Sequence, residues 1–219
     1  MPDLEFDIVD AAPVQYAQAP MLALRLTLST VQPRQQIQSV ILQYQVWIEP
    51  AGRQYDEQEQ SLLLDIFGKP ERWNRTVRSL LWTRNTILVP PFSDHRTVDL
   101  DVPCTYDLNV AVAKYFYALK DGTVPLRLMF SGTVFYVPED SEDGNIQVGQ
   151  IPLEQEAAYR FPVGIWQEMM ERYYPNCHWL CLPRDVFDRF YRFKMQHALT
   201  TWEQVVEQLM PANAQEEKL

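Results

Sequence analysis

Alternation of apolar and polar side chains dominates the first 137 residues of the chain. In residues 21–28, leucines occupy every second position and are separated by polar or small residues. Residues 37–48 repeat the pattern over a greater length, and Pro50 follows two residues later. Because a β-strand points successive side chains to opposite faces, this spacing predicts strands with one face in a core and the other in water.

Further segments rich in strand-forming residues are bounded by Pro, Gly, Asn or Asp, at residues 4–9, 76–82, 86–89, 97–102 and 126–137. Strands interrupted at such intervals are typical of antiparallel sheets packed face to face. Residues 107–119 differ, because their apolar side chains recur at helical spacing and Asp107 is suited to cap a helix. Val110 and Val112 favour a strand instead. We interpret this segment as a helix between strands, with a strand as the alternative.

After Pro162 the spacing becomes helical, in residues 164–174, 184–199 and 201–210. Thr200 and Glu203 have the spacing of a capping box for the last of these helices. The sequence therefore predicts an α+β chain. An antiparallel β-sandwich with an embedded helix occupies residues 1–161, a C-terminal helical region packs on it over residues 162–211, and residues 212–219 form a flexible tail.

Charge and composition restrict the function classes. The chain has 19 Lys and Arg residues against 29 Asp and Glu residues, a net charge of −10. Such a charge disfavours binding to nucleic acids and to anionic membranes. We find no apolar run long enough for a membrane span and no secretory signal, and the odd count of three cysteines favours reduced thiols. We therefore expect a cytoplasmic protein.

No catalytic motif is recognisable. The seven glycines are scattered singly, so neither a phosphate-binding loop nor a dinucleotide fingerprint can form, and no Gly-x-Ser-x-Gly elbow occurs. We expect no enzymatic activity and no cofactor. A weaker alternative is metal binding by Cys104, Cys177 and Cys181, although the spacing of the last two is not the usual one for zinc. A β-sandwich that binds a small molecule in an apolar pocket is another alternative.

The best candidate for a binding surface is a basic stretch that contains two tryptophans. Arg and Trp are the residue types that dominate the energetics of protein interfaces. The alternative is that the arginines form the solvated face of a strand. The candidate interface residues are Lys69, Arg72, Trp73, Arg75, Arg78, Trp82 and Arg84.

A series of segments resembles an uncharacterised bacterial family of unknown function, and their order is more specific than any single one. They begin with Leu64-Asp65-Ile66-Phe67-Gly68-Lys69-Pro70, Arg72-Trp73 and Thr76, and continue with residues 102–107, 114–116, 121–122, 124–126, 130–136 and 159–163, Trp166, Met170, Phe193-Lys194 and Thr201-Trp202-Glu203. The resemblance spans nearly the whole chain. Members of this family resemble products encoded beside the genes for uptake nickel–iron hydrogenases.

The resemblance implies an accessory role in assembling or scaffolding a hydrogenase-type redox complex, and it implies no catalytic residue. Together with the basic stretch, it leads to the hypothesis of a non-catalytic interaction protein that binds a partner protein. A metal-handling protein and a small-molecule-binding sandwich remain the alternatives. The sequence leaves the partner and the oligomeric state open.

Overall fold

The computed structural model describes residues 2–31, 36–105, 109–138, 144–152, 155–178 and 180–210. The strands in these ranges are β1 (Leu4–Pro13), β2 (Met21–Thr30), β3 (Gln36–Ile48), β4 (Leu80–Val89), β5 (His95–Pro103), β6 (Thr123–Val137), β7 (Gln147–Ile151) and β8 (Glu156–Pro162). The α-helices are α1 (Glu57–Leu62), α2 (Leu64–Phe67), α3 (Trp73–Thr76), α4 (Val110–Tyr117), α5 (Val163–Tyr173), α6 (Arg184–Gln196) and α7 (Trp202–Leu209).

The strands form two antiparallel sheets. One sheet has the order β1-β2-β5, and the other has the order β4-β3-β6 with both β7 and β8 on the far side of β6. The long strand β6 is shared between these two neighbours, because residues 123–129 pair with β8 and residues 132–136 pair with β7. The predicted α+β class with antiparallel sheets packed as a sandwich is confirmed.

The core lies between the inner faces of the two sheets. The alternating leucines of β2 and the alternating apolar residues of β3 from Val40 to Ile48 are fully buried. Phe6 of one sheet stacks on Phe130 of the other, with ring centroids 4.6 Å apart. The Tyr44 hydroxyl of β3 donates a hydrogen bond of 2.8 Å to the carbonyl oxygen of Asp101 in β5. Aromatic packing and this inter-sheet hydrogen bond together fix how the sheets are aligned.

Two helices complete the first part of the fold. Helix α4 connects β5 to β6, and the Asn109 side chain caps it by accepting a hydrogen bond of 3.1 Å from the Val112 N–H. The helix expected in residues 107–119 is therefore present, and Asp107 lies outside the described residues. Helix α5 follows β8 directly and stacks Trp166 on Phe116 of α4 with ring centroids 5.3 Å apart. Both helices bury apolar faces, since residues of each belong to the core.

The chain divides into two compact units, Met1–Cys177 and His178–Leu219. The first unit contains both sheets and helices α1 to α5, and the second contains α6 and α7. The predicted division into residues 1–161 and 162–211 stays a prediction, and the tail at residues 212–219 lies outside the described residues. In the described residues, no helix combines the length and the apolar character needed to cross a bilayer.

Two local expectations were wrong. Residues 76–82 do not form a strand of their own, because Thr76 ends α3 and a single strand, β4, runs through both of the segments that were expected to be separate strands. The polar residues 83–85 lie between these two segments and interrupt the alternation. They belong to β4, which is an edge strand, so solvent reaches their side chains. The capping box of α7 is formed by Thr201 and Gln204, one residue later than expected.

Candidate functional site

The basic stretch begins with two short helical turns. Pro70–Arg72 forms a 3-10 turn, and α3 continues from it. The Trp73 Nε1–H donates a hydrogen bond of 2.8 Å to the carbonyl oxygen of Gly68, and the ring packs edge-on against Tyr55 and Phe67. Trp73 is therefore half-buried and anchors α3 to the rest of the first unit.

Trp82 supports the same stretch from inside the protein. The pairing of β3 with β4 shifts between Val46 and Trp47, which leaves Trp82 as an extra residue in a β-bulge. Its side chain is only 6% exposed and packs on Phe116 and Phe161, with ring centroids 4.9 and 5.5 Å away. Trp82 is thus a core residue that holds β4 in place.

The cations of the stretch are on the surface. We call Lys69, Arg72, Arg75, Arg78 and Arg84 the basic segment. All five are exposed, and in the described ranges of the chain none forms an ion pair. Arg72 and Arg75 line an open pocket of about 400 Å³ together with Glu71, Asn74 and Thr76. Guanidinium groups with free donors at such a pocket can bind carboxylates through paired hydrogen bonds.

A buried ion pair lies in the segment between β3 and the basic stretch. The Arg53 Nη2 is 2.6 Å from the Glu59 Oε1, and the two side chains are 10% and 5% exposed. Arg53 Nη1 also donates to the carbonyl oxygens of Asp121 and Thr123, at 2.8 and 3.2 Å. This pair connects the segment after β3 to the connection between α4 and β6.

Sequence reasoning missed this pair, although one signal was present. Asp56 and Glu59 have the spacing of a capping box, and the structure forms that box at the start of α1. Nothing in the sequence indicates that Arg53 pairs with the same glutamate. Its burial depends on residues 121–123, which are distant in the chain and come close to Arg53 only in the folded protein. Burial of two opposite charges together is the arrangement expected when a charged residue must leave water.

Two tyrosines lie beside this ion pair. The hydroxyls of Tyr55 and Tyr115 are 2.8 Å apart, and the Tyr55 hydroxyl also donates to the carbonyl oxygen of Pro50 at 2.8 Å. Burial raises the pKa of Tyr55 to about 12 and raises the pKa of Tyr115 further above its usual range. Both hydroxyls therefore stay protonated at neutral pH and serve as neutral hydrogen-bonding groups.

The three cysteines are free thiols in different surroundings. Cys104 is buried, its Sγ–H donates to the carbonyl oxygen of Val102 at 3.2 Å, and burial raises its pKa to about 12. Cys177 and Cys181 are exposed. In the part of the chain that the structure describes, no three His, Cys, Asp or Glu side chains are grouped to hold a metal ion.

No curated protein is significantly similar to the chain. Three solved structures of β-glucosidase 3B from Thermotoga neapolitana, in complex with α-D-glucose, glycerol and glucose, match at 12%, 12% and 13% identity with a TM-score of 0.27. The match covers 73% of this chain and 17% of the glucosidase, and at this TM-score it carries no argument about fold or function. A family model matches residues 1–218, and the chain belongs to that family, the family of unknown function DUF6084.

Proposed function

We propose that this protein is a non-catalytic accessory protein that binds an acidic surface of a partner protein through the basic segment. One observation carries the proposal. The five cations of the basic segment are exposed, and none of them forms an ion pair in the described residues. The chain as a whole has ten more acidic than basic residues. Of the eight other described cations of the first unit, Arg96 and Arg160 are also unpaired but are isolated in the sequence. The remaining six each lie within ion-pair distance of a carboxylate: Arg25, Arg53, Lys114, Lys120, Arg127 and Arg172.

The support beneath the basic segment favours binding. Trp73 is held by a hydrogen bond and two ring contacts, and Trp82 is packed in the core. The backbone that carries Arg72 and Arg75 is therefore ordered before any partner arrives. Preorganisation reduces the entropy lost on association, so that more of the interaction energy contributes to affinity.

The contrast between local and overall charge favours selectivity. A protein with a net charge of −10 repels acidic proteins at long range, and only an orientation that presents the basic segment is attractive. Such a contact weakens as salt is added, because exposed charges are screened over about 10 Å at 0.1 M ionic strength. We therefore expect the complex to be specific in orientation and sensitive to salt.

The resemblance described above suggests the partner class. Products encoded beside hydrogenase genes are expected to act on the hydrogenase or on its maturation factors. The proposed role is therefore the assembly or scaffolding of a hydrogenase-type redox complex in the cytoplasm, with an acidic region of one of its proteins as the binding partner.

Charge reversal tests the proposal. The variant Arg72→Glu, Arg75→Glu is compared with the control Arg96→Glu, Arg160→Glu, which changes net charge equally at two exposed cations that also lack an ion pair in the described residues. Each tagged chain is purified from the source organism at low salt, and co-purifying proteins are quantified by mass spectrometry. We expect one partner with an acidic region to be retained by the wild type and the control and lost by the variant. Equal retention by both variants, or the absence of any stoichiometric partner, refutes the proposal.

A further inference from the structure

The second unit exposes an unusual amount of apolar surface. None of the 13 residues of α6 is buried, and Val205 is the only buried residue of α7. Phe187, Tyr191 and Met195 of α6 are 45%, 50% and 63% exposed. Helices of this length are marginal in water unless an apolar face is covered. The unit therefore needs a covering surface.

The exposed side chains form one continuous face across both helices. Trp202 of α7 contacts Phe187 and Tyr191 of α6, with ring centroids 5.5 and 6.3 Å apart. Met195 follows Tyr191 by one helical turn, and Val206 follows Trp202 in the same way. We call these five residues the aromatic face.

The area of the aromatic face matches what a symmetric dimer needs. From the exposed fractions of its side chains, the face presents roughly 500 Å² on one copy. If two copies cover each other, roughly 1,000 Å² of mainly apolar surface is buried, and the surrounding charged side chains bring the total to the range of stable interfaces, which begins near 1,200 Å². A contact of one face with itself is also the commonest kind of symmetric interface.

Charges around the face are complementary between the two helices. Helix α6 has four cations and two acids, whereas α7 has Glu203 and Glu207 and no cation. Arg192 lies about 60° beyond Met195 around α6, and Glu203 lies about 60° beyond Val206 around α7. A two-fold arrangement with α6 of each copy against α7 of the other can therefore pair the Arg192 edge of α6 with the Glu203 edge of α7.

We propose that a second copy of this chain covers the aromatic face, with α6 of each copy packed against α7 of the other. The contact lies in the second unit and is independent of the basic segment in the first unit. Its test is separate from that of the proposed function, because the dimer is measured with the purified chain alone.

Sedimentation of the full chain from about 1 to 100 µM measures the dimer, since this range brackets the affinities usual for modest interfaces. We expect Tyr191→Ser to weaken dimerisation by about tenfold or more, as loss of a central aromatic side chain does. The matched control Leu88→Ser removes a more exposed apolar side chain of β4 and should leave the dimer unchanged. Arg192→Glu should weaken the dimer, and Arg192→Glu combined with Glu203→Arg should restore it.

A second measurement needs no substitution. Chains labelled with ¹⁴N and ¹⁵N are mixed and treated with a carbodiimide, which joins amines to nearby carboxylates. We expect mixed-isotope cross-links between Lys194 and Glu203 or Glu207, and this result decides the matter if Tyr191→Ser fails to fold. A chain that is monomeric at about 100 µM, a dimer insensitive to Tyr191→Ser, or cross-links within single copies only would overturn the proposal.

Discussion

Removal of the Glu59 carboxylate should destabilise the first unit more than any surface substitution. In Glu59→Ala, Arg53 keeps its positive charge at a site where its side chain is only 10% exposed. The Glu59 Oε1 also accepts from the Lys120 N–H at 3.1 Å, and the Oε2 accepts from the Asp56 N–H at 3.2 Å. The substitution therefore leaves a buried charge and two backbone donors without their acceptor.

The expected cost is about 3–5 kcal/mol, the range for breaking a buried ion pair by removing one partner. The Arg53 Nε already lacks a hydrogen-bond partner in the described part of the structure, so no spare acceptor is at hand to compensate. The double variant Arg53→Met, Glu59→Leu removes both charges and fills the space with apolar side chains. It should cost much less than the sum of the single substitutions, because no unpaired charge remains.

Urea unfolding followed by circular dichroism measures these free energies of unfolding. With a slope of about 2 kcal/mol per molar urea, Glu59→Ala should lower the midpoint by about 2 M. Glu57→Ala is the matched control in the same helix, and its exposed side chain should contribute less than about 0.5 kcal/mol. A loss below about 1 kcal/mol for Glu59→Ala, or additive effects of the two single substitutions, would show that the pair is not the buried unit described here.

Two further predictions concern Gly132 and Cys104. Gly132 has a φ of 146°, and a Cβ there would overlap the carbonyl oxygen of Ile41. Gly132→Ala should therefore destabilise the protein by more than about 1 kcal/mol in the same urea assay. Gly164→Ala in α5, where the space is open, should stabilise it by about 0.5–1 kcal/mol, and equal effects of the two substitutions would contradict the reasoning. Because the pKa of Cys104 is raised to about 12 and the thiol is buried, a thiol reagent at pH 8 should modify Cys177 and Cys181 rapidly and Cys104 only after unfolding. Rapid modification of all three thiols in the folded protein would refute this prediction.

The alternation of residues was sufficient to predict the strand faces. Leu22, Leu24, Leu26 and Leu28 are all fully buried, as the pattern indicates. The reason is local, since the direction of a side chain in a strand depends only on its position along the strand. The helical spacing of α4, α5, α6 and α7 was recognisable for the same reason. The sequence carried less information about exact ends, as the capping box of α7 shows.

Strand pairing was not predictable in the same way. Strand β2 pairs with β5 rather than with β3, and β3 pairs with β6 although 74 residues of chain lie between them. The partner of a strand depends on how whole faces pack, and the hydrophobic pattern does not specify it. The pairing of β6 with both β7 and β8 likewise depends on how whole faces pack.

The same distinction between local sequence and tertiary packing applies to the residues of the candidate site. The sequence alone determined that Lys69, Arg72, Arg75, Arg78 and Arg84 would be exposed, because the cost of burying an unpaired charge nearly always keeps such residues in water. Only the tertiary structure decided the positions of the tryptophans, because a large amphipathic ring is stable either at a surface or in a core. Trp73 donates a hydrogen bond to the carbonyl oxygen of Gly68, and a β-bulge directs Trp82 towards Phe116. The physical reason is that exposure of a charge follows from its own solvation, whereas burial of a ring depends on neighbours that are distant in the chain.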